Sequence, residues 1–200
     1  MIEKHYNGSL TREQFLFYEM RTAAGLILQG CSREEAIEKI YSENLFQFPT
    51  ERMIKSIANT CFKRLDALDS DELVYHIANA SADVARQINL YAIMCENGIV
   101  YDFMTEVVGE KYRVQELDFS AKDVNVFFMT LEEKEHAVGE WSEATVKKLK
   151  QVLVRFLVEC EYLESPRAQL LQPVYLFPEL EDAIRAKGDT EALAAFNCFN

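Results

Sequence analysis

The chain has 200 residues, 49% of them hydrophobic and 27% charged, which is the balance of a folded globular protein and not of a disordered one. Seven Gly and four Pro supply few of the turns that all-β folds need, so a mainly helical class is favoured. The formal net charge of -12 excludes indiscriminate binding to polyanions, because phosphate repels such a chain unless its cations are grouped.

The longest apolar run, Leu90 to Cys95, is far short of the roughly 20 residues that a bilayer-crossing helix needs, and the opening MIEKHYNGSL lacks the apolar segment of a secretion signal. A cytoplasmic protein without membrane contact is expected. The five cysteines are odd in number, scattered and without a C-x-x-C pair, so neither a disulfide framework nor a zinc site is expected. The three histidines are far apart and pair with no cysteine at helical spacing, so no metal is expected.

Thr11 and Gln14 have capping-box spacing, which predicts a first helix from Thr11 through Leu16, Met20, Ala23 and Ile27 to a stop at Gly30. Residues 25–32, GLILQGCS, carry two glycines at phosphate-loop spacing, but Cys31 stands where that loop needs lysine and no strand precedes it. The stretch therefore reads as a helix end followed by the N-cap Ser32, whose partner Glu35 completes a second capping box. After a connector ending at Pro49, Thr50 is placed to cap a helix that puts Met53, Ile54, Ile57, Ala58, Cys61, Phe62 and Leu65 on its apolar face. Its other face lines up Arg52, Lys55, Ser56, Asn59 and Lys63. Between 50 and 66, these cations and Arg64 stand against only Glu51 and Asp66.

Ser70 predicts a short helix, and Ser81 a longer one through Val84, Ile88, Tyr91 and Met94 that stops at Gly98. VYDFMTEVVGEKY is helical in pattern, a further helix starts near Ser120, and LEEKEHAVGE breaks at Gly139. Ser142 opens the most strongly patterned helix, with Leu149, Val152, Leu153, Phe156 and Leu157 inward and Lys147, Lys148, Gln151 and Arg155 outward. Trp141, just before that cap, reads as a core or staple residue. The β-prone run from Leu170 to Phe177 follows a Ser-Pro-Arg turn and predicts a two-stranded hairpin with Arg167 near its tip. A short helix near Glu179 and an Ala-rich turn over 191–196 complete the pattern. The fold expected is mainly α, with two helix-turn-helix-like modules, the second winged by the hairpin, and domains over 1–68 and 69–200.

A helix in a DNA major groove needs donors at i, i+3, i+4 and i+7 on one side, with Lys or Arg for phosphate and guanine and Asn or Gln for adenine. Both basic helices meet that requirement, although a solvated helix face has a similar composition. No G-x-S-x-G and no marked acidic pair is present, so no catalytic residue is assigned and an enzyme is not expected.

ENLFQ (Glu43 to Gln47), the Arg86-Gln87 pair, FMTEVVGEKY (Phe103 to Tyr112) and WSEATVKKL (Trp141 to Leu149) together resemble the BrxA family of BREX bacteriophage-exclusion systems, over most of the chain. The resemblance implies a small, helical, non-enzymatic component without cofactor, working with other BREX proteins in a system that combines host DNA methylation with exclusion of phage DNA. Similar proteins have been compared with winged-helix DNA binders and with a Nus-type RNA-binding antitermination factor. The favoured expectation is double-stranded DNA binding, with Arg52, Lys55, Lys63, Lys147, Lys148 and Arg155 on phosphates, Asn59 and Gln151 at base edges, Ser56 within the first stripe and Arg167 on the wing. A protein adaptor within the BREX assembly and an RNA-binding protein are the alternatives.

Overall fold

The computed structural model describes residues 5–199, which form two compact units: residues 15–96, and residues 5–14 together with 97–199. The chain passes between the two units after Gln14 and again after Glu96.

The 15–96 unit holds five helices, α1 (Phe17–Leu28), α2 (Arg33–Ser42), α3 (Glu51–Leu68), α4 (Asp71–Asn79) and α5 (Ala82–Glu96). Their starts follow the local chemistry. Ser32 and Glu35 form a reciprocal capping box at α2, and Thr50 and Ser70 accept from the backbone N–H groups of Met53 and Leu73. Gly30, at φ 87°, follows the end of α1 in the left-handed region that glycine enters without steric cost. The first helix does not begin at Thr11. That hydroxyl donates to the Gly8 carbonyl inside a short 3-10 turn, Ser9–Thr11, and α1 starts after Leu16, which takes the left-handed conformation.

α3 packs on α1, α2 and α5, while α4 packs on α1 and α5. The shared core includes Met20, Ala24, Ile57, Cys61, Leu73, Ile77 and Ile88, each at most 4% exposed. Burying each large aliphatic side chain contributes about 1.5–3 kcal/mol. The connector between α2 and α3 spans 43–50, longer than the 3–4-residue turn of a helix-turn-helix.

The other unit begins with α6 (Gly98–Asp102), which passes into a π-helical segment, Phe103–Gly109, and on into α7 (Glu110–Val114). Gly98 therefore opens a helix and does not stop one: the Asn97 side chain caps α6 by accepting from the Ile99 N–H. α8 (Ala121–Lys134), α9 (His136–Gly139), α10 (Glu143–Glu159) and α11 (Pro178–Ala186) follow, then a 3-10 segment, Thr190–Phe196. The π segment lies against that last segment so closely that a Cβ on Gly109 would sit 2.9 Å from the Ala194 carbonyl carbon.

Residues 5–14 are tied into this unit by the Gly98 N–H donating to the His5 carbonyl (2.9 Å) and by Tyr6 donating to Asp102 Oδ2 (2.7 Å). Burial and the bond to Asp102 hold the Tyr6 hydroxyl well above its ordinary range, so it stays a donor. At the start of α8 burial opposes the ionisation of Asp123, but hydrogen bonds from Lys111 and Ser120 outweigh it and hold the carboxyl below its usual range.

The expected hairpin does not form, and no strand occurs among the described residues. Leu170 makes one isolated antiparallel bridge to Asp118, flanked by bonds from the Phe119 N–H to the Gln169 carbonyl and from the Leu171 N–H to the Leu117 carbonyl. Gln172 then donates to the Tyr162 carbonyl, and Pro173, which has no N–H, interrupts any ladder beyond it. The winged part of the expected fold is corrected accordingly; the helical class stands.

Candidate nucleic-acid interface

On α3 the residues singled out from the sequence, Arg52, Lys55, Ser56, Asn59 and Lys63, are all exposed. Helical spacing brings them to one side because 52, 55, 56, 59 and 63 follow the 3.6-residue period. Arg64 leaves this group. It is 0% exposed, with Nη1 3.4 Å from the Phe15 carbonyl, so the cationic face is smaller than the sequence count suggests.

Two members of the stripe are engaged locally. Lys55 Nζ stands 3.9 Å from the centroid of the Tyr41 ring, a cation–π contact, and the Tyr41 hydroxyl is raised above its ordinary range by its hydrogen bond to Glu51. Asn59 turns its Nδ2 back to the Lys55 carbonyl (2.8 Å), which commits one of its two amide N–H groups and ties the side chain to its own helix.

On α10, Lys147, Gln151 and Arg155 are exposed at consecutive intervals of four, and Lys148 is half-buried beside them. Ser142 positions this helix by accepting from the Thr145 N–H, and Leu149, Val152, Leu153, Phe156 and Leu157 fix its rotation by burial. Between Lys147 and Val158 the helix carries no carboxylate. Arg155 Nη1 donates to Gln14 Oε1, a neutral partner that holds the guanidinium without cancelling its charge. Arg167 is exposed, but it sits in a turn closed by the Ala168 N–H and the Ser165 carbonyl, not on a wing.

Lys150 belongs with the α10 cations, although its position in the helical repeat did not single it out. It leans toward α8, with Nζ donating to Asn125 Oδ1 (2.9 Å) and lying 5.4 Å from the Phe128 ring centroid. Trp141 is half-exposed, not a core residue, and lines a cavity of about 570 Å3 with Asn125, Val146, Lys147, Lys150 and Gln151. Among the described residues no cluster of His, Cys, Asp and Glu is placed to hold a metal, and no helix is long and apolar enough to cross a membrane.

The model of the BrxA family matches residues 4–188. The chain belongs to the BrxA family. It is 34% identical over 189 residues to a protein of Bacillus cereus (strain H3081.97) named BREX protein BrxA, covering 94% of each chain. A protein of the same name from Escherichia coli O9:H4 (strain HS) is 27% identical over 192 residues, covering 96% of this chain and 90% of that one. The fold is also that of a crystal structure of an uncharacterized protein from Magnetospirillum magneticum, with a TM-score of 0.80 at 22% identity over 96% of this chain and 97% of the other. Both α3 and α10 lie within the residues that the family model matches.

Proposed function

We propose that the chain is a non-enzymatic component of a BREX phage-defence system that binds double-stranded DNA and works beside other BREX proteins. The defence role rests on membership of the BrxA family and on the name that its relatives carry. The DNA reading rests on one observation, the middle of α10, which presents Lys147, Gln151 and Arg155 with Lys148 beside them and carries no carboxylate between the end residues Glu143 and Glu159. In a chain of net charge -12, such grouping is what phosphate binding requires. Lys147, Lys148 and Arg155 take phosphates, Gln151 reaches a base edge, and Arg167 adds a backbone contact. Arg52 and Lys63 make the corresponding contacts on α3. Because phosphate contacts position without specifying, sequence preference is modest.

Titration of labelled duplex at several salt concentrations tests this. Replacing Lys147 and Lys148 together by Ala is expected to weaken binding and to make the log-log salt slope shallower by up to about two. An unchanged slope removes α10 from the interface. The engagement of Lys55 with Tyr41 and of Asn59 with its own helix favours a second reading for the 15–96 unit, a surface for another BREX protein. Under that reading Arg52→Ala with Lys63→Ala leaves the duplex titration unmoved and reduces co-purification of a BREX partner.

A further inference from the structure

A cleft of about 410 Å3 opens between α8 and α10, within the range of small-molecule sites. Ala121, Val124, Val154 and Pro166 give it an aliphatic lining. Its polar groups are Asn125, Lys150, Gln151 and Arg155, and no carboxylate lines it. Both cations are held by neutral partners, Lys150 by Asn125 Oδ1 and the Phe128 ring, and Arg155 by Gln14. Their orientation is fixed and no carboxylate of the cleft compensates their charge, Glu132 and Glu143 lining instead the neighbouring cavity that shares Lys150, which is the arrangement of a preformed anion site. Asn125 keeps its Nδ2 for a ligand, and Gln151 offers a full amide at the exposed edge.

We propose that this cleft binds a single nucleotide unit, with the base against the aliphatic lining and the amides of Asn125 and Gln151, and the phosphate on Lys150 and Arg155. A flat ring suits the aliphatic walls, Asn and Gln match base edges, and an Arg with a Lys matches a phosphate. Other ligands satisfy only part of this set: inorganic phosphate leaves the aliphatic half empty, and an uncharged nucleoside leaves the cations unused. The unit comes either from a free nucleotide or from an unpaired residue of a nucleic-acid strand.

The test is calorimetric titration of the full chain with adenosine and cytidine monophosphates, with adenosine, with inorganic phosphate, and with a short single-stranded oligonucleotide. Trp141 fluorescence serves as a second readout, since the neighbouring cavity that this tryptophan lines shares Asn125, Lys150 and Gln151. Saturable binding of a monophosphate, at least tenfold tighter than of adenosine or phosphate alone, is expected; binding of the oligonucleotide without the monophosphates assigns the site to a strand. Either ligand is lost at least tenfold on Lys150→Ala and also on Val154→Phe, which fills the cleft without removing a charge, while circular dichroism keeps the helical signal. Absence of binding by every monophosphate and by the oligonucleotide overturns the proposal, as does binding that neither variant weakens. The duplex reading is judged separately by the salt slope of the Lys147, Lys148 double variant, so either can fail alone.

Discussion

Arg64 donates through Nη1 to the Phe15 carbonyl, and Asn89 Nδ2 reaches the same oxygen at 2.8 Å, both from fully buried positions. The carbonyl lies one residue before Leu16, where the chain turns through the left-handed conformation into α1, so the guanidinium helps to hold that turn. A buried cation of this kind costs desolvation energy that its hydrogen bonds offset, and removing it leaves both a cavity and an under-used acceptor. Arg64→Ala is expected to destabilise the chain by about 3 kcal/mol or more, and Arg64→Met, which keeps much of the volume, by clearly less. Urea unfolding of the two variants measures the difference; equal midpoints for Arg64→Ala and the parent chain sink this account.

At the scale of elements, the contact of Gly109 with Ala194 joins the π segment to the terminal 3-10 segment. The atoms in the way are backbone as well as side chain, with the Ala194 carbonyl oxygen 3.0 Å from the added Cβ. Gly109→Ala is expected to cost about 1–3 kcal/mol through overpacking, read as a lower thermal midpoint. Ala194→Gly should restore only part of it, because the backbone atoms remain. The legible elements were those whose signals are local. Ser32, Thr50, Ser70, Ser120 and Ser142 each cap the helix expected of them, because a cap needs only its own first turn. The hairpin was not legible, since whether 170–177 pairs with itself or with 117–119 depends on a partner distant in sequence. Of the candidate interface, the exposure of Lys147, Gln151 and Arg155 was readable from the apolar period, while Lys148 is half-buried. The inward turn of Arg64, the bond of Lys150 to Asn125 and the half-exposure of Trp141 depend on neighbouring elements, which no single helix encodes.

At the scale of the whole molecule, the acidic excess and the cationic faces are reconciled by segregation: 33 carboxylates outnumber 21 Lys and Arg, yet none falls between 147 and 158 on α10. The two compact units differ in how the chain builds them. Residues 15–96 are one continuous stretch with its own core, so a fragment of those residues is expected to unfold cooperatively by itself. Residues 97–199 without 5–14 lose the His5, Tyr6 and Gln14 contacts, and are expected to melt below the full chain. Circular dichroism melts of the two fragments test both statements, and a fragment 15–96 without a cooperative transition refutes the first.

The discontinuity of the second unit also orders events on the ribosome. Residues 5–14 are made well before their partners Gly98, Asp102 and Arg155, at a translation speed of about 5–20 residues per second. For a period on the order of ten seconds this segment lacks those partners, while the helices of residues 15–96 are already able to close their own core. The second unit is therefore completed only when a segment made before residues 15–96 meets partners made after them.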